Sequence, residues 1–287
     1  MRSKLFVPGS RPELFAKAAA SAADALSFDL EDAVPLARKD EAREILAAHL
    51  RTLPEDFGKA VVVRVNAVDT PFFAADLEAV ALPAVESINL PMVEEPGAVA
   101  EAAAHLNRLP GAGHIRLLVN IETPKALRRA ADLAAAHPRV SGLQIGYADL
   151  LEPCGIDRLD PAALAHIRVA VRLAAAEAGV PAYDGAFAAV GDPEGFHAEC
   201  EAARRQGFAG KTCIHPSQIA TANAVFQPSE AEIAWSRKIL AAAAEAETRG
   251  VGVILVDGRM IDKPFLIRAR ATLALADRLP ASKEPVR

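Results

Sequence analysis

The chain contains only three cysteines among its 287 residues, and none of them stands in a CxxC spacing. An odd number without that spacing argues against both a disulfide framework and a structural zinc site, and it favours a reducing compartment. No apolar run approaches the roughly 18 residues that a membrane span needs, and no positively charged segment followed by an apolar one opens the sequence. We therefore expect a soluble, unprocessed protein of the cytoplasm.

A surplus of basic residues is also missing, since 37 aspartates and glutamates outnumber 32 lysines and arginines. The formal net charge of −5 leaves no basic patch for nucleic acid or anionic lipid, so neither is expected as a partner. The motifs GxxxxGK[ST], GxGxxG, GxSxG and HExxH are absent. Their absence argues against P-loop phosphate binding, Rossmann-type hydride transfer, serine hydrolysis and zinc proteolysis. A small-molecule substrate is the better expectation.

Eight short apolar runs recur along the first three quarters of the chain: KLFVPG, ALSFDLED, AVVVRVN, SINLPMV, IRLLVNIE, GLQIGYAD, VPAYDGAF and KTCIHP. Most are separated by segments with apolar residues at helical spacing, such as PKALRRAADLAAAH. Strands that alternate with helices form parallel sheets, and eight such units predict a closed (β/α)8 TIM barrel over residues 1–225. Thr123 and Ser229 are expected to cap helices.

A C-terminal extension, residues 226–287, exceeds what the barrel needs. We predict a helix near Ser229 to Arg249, an apolar run GVGVILVDGRMID, and a last helix from about Pro264 to Leu279. The extension either caps the barrel or reaches a neighbouring subunit, and its sequence leaves both open.

Acidic residues dominate the ends of the predicted strands, where a TIM barrel carries its catalytic groups. Glu122 and Asp149 are 27 residues apart, one strand-helix unit, so they should lie at corresponding ends of adjacent strands about 4.8 Å apart. Mg2+ prefers one or two carboxylates together with waters and substrate oxygens. The alternative is that both are solvated loop acids or charges at helix N-termini. Asp184 follows strand seven in the same predicted ring.

Arg64 lies inside the apolar run VVVRVN, where an arginine is costly without an anionic partner. Its guanidinium would hold a substrate carboxylate in a bidentate grip, or form an internal ion pair with Asp29 or Glu31, and the two interpretations are compatible. Glu31 and Asp32 would bind the waters of the metal or orient Arg64. Asp29, deeper in the strand, is assigned a structural role.

Other residues near the strand ends carry weaker signals. Gly9, Ser10 and Arg11 offer amides and a cation to a phosphate or an acyl chain, and Pro91, directly after strand four, is included among the substrate contacts. His215, which is followed by proline, is more often a hydrogen-bonded structural residue in such a place than a catalyst.

Six ordered segments carry a family resemblance over nearly the whole chain: RSKLFVPGSRPELFAKAAASAADALSFDLEDAVPLARKDEAR, VVVRVN, NIETPKAL, GYADL, GKTCIHPSQI and VDGRMIDKPFLIRA. Together they resemble the citrate lyase β-subunit family, part of the HpcH/HpaI aldolase group that includes malyl-CoA and citramalyl-CoA lyases. The resemblance implies a TIM barrel, a Mg2+ cofactor, and cleavage or formation of a carbon-carbon bond next to a thioester.

The resemblance also implies roles for individual residues. Glu122 and Asp149 match metal ligands, and Arg64 matches the clamp for the substrate carboxylate. Asp262 matches an acid that the C-terminal segment of a neighbouring subunit contributes, which implies a homo-oligomer and favours a trimer. Lys211 matches a contact to acyl-CoA.

One departure affects the predicted pocket, because Gly146-Tyr147-Ala148-Asp149 stands where many relatives have a Gly-Ala-Glu-Asp-like sequence, which retains the ligand but introduces Tyr147. Three functions therefore follow from the resemblance. The first is a lyase that acts on an acyl-CoA and releases a 2-oxo acid. The second is the β subunit of a citrate lyase that acts on a carrier-protein thioester. The third is a non-lytic thioesterase or binding protein.

Overall fold

A closed barrel of eight parallel strands forms the first part of the chain, in the order β1 to β8. The computed structural model describes residues 1–54, 56–247 and 253–278. The strands are β1 Ser3–Pro8, β2 Ala25–Asp29, β3 Ala60–Arg64, β4 Ser87–Leu90, β5 Arg116–Ile121, β6 Val140–Ile145, β7 Ala182–Asp184 and β8 Gly210–Cys213. Each coincides with one of the eight apolar runs, so the predicted (β/α)8 fold is confirmed.

Helices surround the barrel and follow the strands in turn. They are α1 Phe15–Ala19, α2 Lys39–Leu50, α3 Phe73–Val80, α4 Pro96–Arg108, α5 Pro124–Arg128, α6 Ala130–Ala135, α7 Tyr147–Leu151, α8 Pro161–Glu177, α9 Pro193–Arg205 and α10 Ser217–Val225. The predicted cap of α5 is present, because Thr123 Oγ1 accepts the Ala126 N–H at 3.0 Å. None of the helices in the described part of the chain is long and apolar enough to cross a membrane.

The two faces of each strand have different surroundings. Outward residues such as Leu26, Val63 and Ile88 join the buried apolar layer beneath the helices. Inside, Val62, Leu118 and Tyr183 form an apolar cluster with Met1 and Ala209 at the N-terminal end. Further along, the inward positions are polar: Lys4, Ser27, Asn89, Asn120, Gln144 and Thr212. This polar level lies below the C-terminal mouth, where an active site is expected.

The chain divides into two compact units, Met1–Phe226 and Gln227–Arg287. The second contains α11 Glu230–Glu247, β9 Ile254–Val256, β10 Arg259–Ile261 and α12 Lys263–Arg278. Ser229 caps α11 as predicted, since its Oγ accepts the Glu232 N–H at 3.2 Å. The predicted ends at Arg249 and Leu279, and the first residues of the apolar run, lie outside the described residues.

The apolar run of the second unit is an antiparallel hairpin of β9 and β10. Asp257 and Gly258 form its turn, with φ of 49° and 75°. Two successive positive φ angles are the signature of a tight hairpin turn, for which Asp-Gly is a preferred pair. The Asp-Gly dipeptide was the signal that would have predicted the hairpin.

Candidate active site

Arg64 is the cation of the barrel mouth and is fixed by the last residue of the neighbouring strand. Asp29 pairs with Arg64 in the β2–β3 register. Arg64 donates from Nε to Asp29 Oδ1 and from Nη2 to Asp29 Oδ2, both at 2.7 Å. Asp29 also accepts the N–H groups of Glu31 and Ala33, each at 3.0 Å. The internal ion pair that the sequence allowed is present, and it orients the guanidinium without using all of its donors.

Glu31 and Asp32 lie on the other side of the same guanidinium. Arg64 Nη1 is 2.6 Å from Glu31 Oε2 and 3.1 Å from Asp32 Oδ2. Burial raises the pKa of Glu31 to about 8, and the opposing attraction of Arg64 only partly offsets it. Both carboxylates therefore lie where they were expected, in contact with Arg64. Their catalytic roles stay predictions.

Glu122 follows β5 directly and is held by two donors. Its Oε1 accepts the Met92 N–H at 2.6 Å, and its Oε2 accepts from Asn120 Nδ2 at 2.9 Å. Met92 reaches this position with a left-handed backbone, φ 53°, which is unusual for a residue with a side chain. Burial raises the pKa of Glu122 to about 7, while the Met92 amide and Arg64 lower it and Asp149 raises it further.

Gly146 makes room for the Glu122 carboxylate. A Cβ added at Gly146 would lie 2.3 Å from Glu122 Oε2 and 2.6 Å from Glu122 Cβ. No other residue type fits at that position while Glu122 keeps its present conformation. The end of β6 is thus shaped around a buried acid that occupies the mouth of the barrel.

Asp149 lies in the first turn of α7, four residues beyond the end of the adjacent strand β6. The prediction that it stands at the strand end corresponding to Glu122 is therefore wrong, because Ile121 pairs with Ile145 and the residue after Ile145 is Gly146. It is exposed and borders the same cavity as Glu122. Within the described residues no cluster of three or more histidine, cysteine or acidic ligands occurs. Two carboxylates, one of them buried and raised in pKa, are nevertheless the donor set that Mg2+ prefers when waters and substrate complete the shell. The residues fit a Mg2+ ion, although the helix N-terminal position of Asp149 also fits the alternative interpretation.

A cavity of about 290 Å³ at the mouth brings together Asp32, Arg64, Glu122 and Asp149. Its wall also contains residues that sequence reasoning missed or did not place in the site: Phe6, Asn120, Gln144, Glu152, Arg158, Thr212 and Ile214. Polar residues at every second position of an apolar strand would have indicated Asn120, two residues before Glu122. Arg158 lies in a loop without periodicity and gave no such signal.

The structure corrects the predictions for Lys211 and Asp184. These two residues pair in the β7–β8 register and face outward, towards the helices. Lys211 Nζ donates to Asp184 Oδ2, Gly185 O and Glu199 Oε1 at 2.6 to 2.9 Å, and its side chain is fully buried. All three ammonium hydrogens are therefore used, so Lys211 has no donor for an acyl-CoA.

Gly9 and Pro91 lie near the mouth without bordering the cavity. The Gly9 N–H donates to Asp29 O at 2.8 Å, so that amide serves the backbone and is not available to a ligand, contrary to our prediction. Pro91 borders a second cavity of about 340 Å³ together with Glu94 and Glu95. Arg11 is exposed and pairs with Glu13 at 2.8 Å. The contact of Arg11 with a phosphate stays a prediction.

His215 and Asp262 complete the predicted set. His215 Nδ1 lies 2.8 Å from Ser217 Oγ at the start of α10, which is consistent with a structural role. Asp262 belongs to the second unit and directly precedes α12, where its carbonyl oxygen accepts the Phe265 N–H at 3.1 Å. Its contribution to the site of a neighbouring subunit stays a prediction.

Known relatives cover nearly the entire chain. A (3S)-malyl-CoA thioesterase from Cereibacter sphaeroides is 42% identical over 283 residues, which are 98% of this chain and 96% of the relative. A citrate lyase subunit beta from Leuconostoc mesenteroides subsp. cremoris is 35% identical, covering 96% of this chain and 93% of the relative. The two names describe different reactions, so the comparison supports an enzyme without fixing the reaction.

A solved structure of CitE from Mycobacterium tuberculosis in complex with magnesium, acetoacetate and coenzyme A has a TM-score of 0.75. It is 35% identical, covering 97% of this chain and 100% of that one. The predicted cofactor, Mg2+, is thus the metal that is bound in solved structures of the family. The model of the HpcH/HpaI aldolase/citrate lyase family matches residues 2–216. The chain therefore belongs to the HpcH/HpaI aldolase/citrate lyase family.

Proposed function

We propose that the protein is a Mg2+-dependent carbon-carbon lyase of the malyl-CoA or citramalyl-CoA type. It would cleave or form a 3-hydroxy-3-carboxyacyl thioester and thereby interconvert it with an acyl-CoA and a 2-oxo acid. The observation that carries the proposal is the convergence of Arg64, Glu122 and Asp149 on one cavity. The magnesium, coenzyme A and acetoacetate of the solved relative support the same chemistry.

In this proposal Glu122 and Asp149 hold the metal, which supplies charge that lowers the pKa of the substrate hydroxyl and stabilises the developing alkoxide. Arg64 binds the substrate carboxylate with the Nη1–H and the Nη2–H that its hydrogen bonds to Asp29 and Asp32 leave over. Asn120 and the Met92 amide keep the Glu122 carboxylate in place. Glu31 and Asp32 orient the guanidinium from its other side.

In the cleavage direction a carboxylate must accept the hydroxyl proton, and Asp32 is the cavity carboxylate that also contacts Arg64. The electrons of the broken carbon-carbon bond pass to the thioester as an enolate, and the 2-oxo acid is released. Asp262, contributed by a neighbouring subunit of a homotrimer, would protonate the enolate carbon. In the reverse direction the carboxylate of the same residue would remove a proton from that carbon of the acyl-CoA.

Two other functions have specific support. Thioester hydrolysis is favoured by the 42% identical relative named a malyl-CoA thioesterase, and it would give malate and free coenzyme A. Action on a carrier-protein thioester is favoured by the relative named citrate lyase subunit beta. Products distinguish the three: a lyase yields acetyl-CoA and glyoxylate from malyl-CoA, whereas a carrier-dependent subunit leaves that substrate unchanged.

Mass spectrometry of the products tests the proposal. Purified protein with Mg2+ is incubated with (3S)-malyl-CoA or citramalyl-CoA, and separately with acetyl-CoA or propionyl-CoA and glyoxylate, pyruvate or oxaloacetate. We expect metal-dependent cleavage and condensation that EDTA abolishes. Formation of malate and coenzyme A without any 2-oxo acid would instead establish the thioesterase.

The variant Glu122→Ala tests the metal assignment. We expect no turnover and no Mg2+ binding by calorimetry, with the circular dichroism spectrum of the folded protein retained. The exposed Glu177, at the end of α8, provides the matched control Glu177→Ala, which should behave like the wild type. Full activity of Glu122→Ala with Mg2+ would show that Glu122 is not a ligand.

A further inference from the structure

Asp149 differs from Glu122 in the way its carboxylate is held. Two donors fix the Glu122 carboxylate, the Met92 N–H at 2.6 Å and Asn120 Nδ2 at 2.9 Å. The Asp149 side chain makes no hydrogen bond or ion pair within the part of the chain that the structure describes. The place of the Asp149 carboxylate therefore depends on how the backbone of helix α7 is held.

Helix α7 has few interactions of its own that could fix this backbone. It has only five residues, Tyr147–Leu151, and an isolated turn of that length is not stable in water. Gly146 at its N-cap has no side chain that could accept a bond from the first amides. Leu150 and Leu151 are buried, but apolar contacts are not directional. A directed contact must therefore come from another side chain.

The Tyr147 side chain makes this directed contact, because its hydroxyl donates to Asp184 Oδ1 at 2.6 Å. Tyr147 is only 3% exposed, and Arg158 Cζ lies 4.2 Å from the centroid of its ring, in a cation–π contact. A Cβ added at Gly185, just after β7, would lie 2.6 Å from Tyr147 Cδ2. The ring is thus enclosed between the backbone of β7 and a guanidinium, and its hydroxyl fixes its direction.

Asp184 is a rigid acceptor for the Tyr147 hydroxyl. It is fully buried and accepts from Lys211 Nζ at 2.6 Å and from Arg168 at 2.9 and 3.1 Å. Burial opposes ionisation of Asp184, but the charges of Lys211 and Arg168 outweigh it and lower the pKa of the carboxyl to about 2. A hydrogen bond to an ionised acceptor is stronger than one between neutral groups. The ion pairs of β7, β8 and α8 therefore give α7 a fixed point of attachment.

We propose that the Tyr147 hydroxyl is a positioning group of the metal site, which attaches α7 to Asp184 and thereby sets the place of Asp149 relative to Glu122. The inference rests on the proposed function, in which both of these acids are metal ligands. Mg2+ requires nearly ideal octahedral geometry, whereas Ca2+ accepts flexible sets of oxygen ligands. Two ligands on separate elements favour the smaller ion only if their separation is fixed. The Tyr147 hydroxyl therefore contributes to selectivity for Mg2+.

The variant Tyr147→Phe tests the inference, because it removes the hydroxyl and keeps the ring. Asp184 stays paired with Lys211 and Arg168, so the variant should keep the circular dichroism spectrum of the folded wild type. Calorimetry then gives the affinities of both proteins for Mg2+ and for Ca2+. Loss of a group that orients a metal ligand predicts a fall in Mg2+ affinity of about tenfold. The Ca2+ affinity should fall about threefold or less, so the ratio of the two affinities changes.

Hydrogen exchange gives a second measurement that needs no metal. The amides of Leu150 and Glu152 close the turn of α7, and in Tyr147→Phe they should exchange about fivefold faster than in the wild type. Mass spectrometry of a peptide that contains residues 147–152 measures this rate. The matched control is Tyr183→Phe, since Tyr183 is the only other tyrosine and belongs to the apolar cluster at the N-terminal end of the barrel. It should change neither the affinity ratio nor the exchange of α7.

The possible results separate the inference from the proposed function. Equal losses of affinity for the two ions in Tyr147→Phe would indicate a general weakening of the structure and would overturn the inference. Unchanged Mg2+ affinity or unchanged exchange of α7 would also overturn it. In each of these cases, binding of Mg2+ by the wild type leaves the proposed function standing. If the wild type binds no Mg2+, the metal assignment of the proposed function fails, and the inference fails with it.

Discussion

A buried lysine, Lys4, lies inside the barrel, and its substitution tests how much stability a buried ammonium group costs. Its ammonium is fully buried, has no hydrogen-bond partner among the described residues, and lies 4.7 Å from the centroid of the Phe6 ring. Burial, aided by the charge of Arg64, lowers the pKa of Lys4 to about 7, although Asp29 and Glu122 oppose the change. We predict that Lys4→Met, which keeps the length of the side chain, stabilises the protein.

The size of this stability gain follows from the difference between the pKa of Lys4 in the folded chain and its pKa in the unfolded chain. The pKa of Lys4 is about 7 in the folded chain, whereas that of an unperturbed lysine is 10.5, so the unfolded chain binds more protons between these values. The stability of the wild type therefore rises with pH across this window. Below pH 7 the free-energy cost of burying Lys4 reaches its full value. The free energy of unfolding of Lys4→Met should exceed that of the wild type by about 5 kcal/mol at pH 6, about 3 kcal/mol at pH 8 and about 1 kcal/mol at pH 10.

Urea unfolding of the wild type and of Lys4→Met at several pH values tests this prediction. Far-UV circular dichroism is the suitable signal, because it follows the helices of the barrel, whereas the single tryptophan, Trp235, belongs to the second unit. The exposed Lys17 supplies the control Lys17→Met, for which no pH-dependent gain is expected. A Lys4→Met protein that is less stable than the wild type at pH 6, or whose advantage does not shrink with rising pH, would refute the reasoning.

Two further substitutions test the site and its surroundings. Gly146→Ala places a Cβ where Glu122 now lies, so Mg2+ affinity measured by calorimetry should fall about tenfold or more. The control Gly113→Ala adds a Cβ with nothing within 4 Å, and equal Mg2+ affinity of the two variants would argue against Glu122 as a ligand. Lys211→Met removes a partner of two buried carboxylates and should cost about 3 kcal/mol in urea unfolding without a specific loss of coenzyme A affinity. Reduced coenzyme A affinity at unchanged stability would restore Lys211 as a ligand contact.

Much of the fold was predictable because it depends on local periodicity. Eight apolar runs of strand length, separated by helical spacing, leave few alternatives to a barrel. The position of Arg64 within an apolar strand predicted an anionic partner, and Asp29 is that partner. The order of the six sequence motifs was specific enough to indicate the family, because each motif stands at a fixed position relative to the strands of the barrel.

The direction of each side chain was not predictable in the same way. One residue of displacement along a strand exchanges the interior of the barrel for the surface beneath the helices. Asp184 and Lys211 follow apolar runs as Glu122 does, yet they face α8 and α9 and form an ion network there. Whether a strand-end acid serves the site therefore depends on register.

The sequence by itself determined the barrel, the family and the acids and arginine at the ends of its strands, because these follow from patterns within short segments. Only the tertiary structure decided which of those residues share a cavity, how Gly146 makes room for Glu122, and that Arg158 borders the same space. Those facts depend on contacts between residues far apart in the chain, whose distances no local pattern encodes.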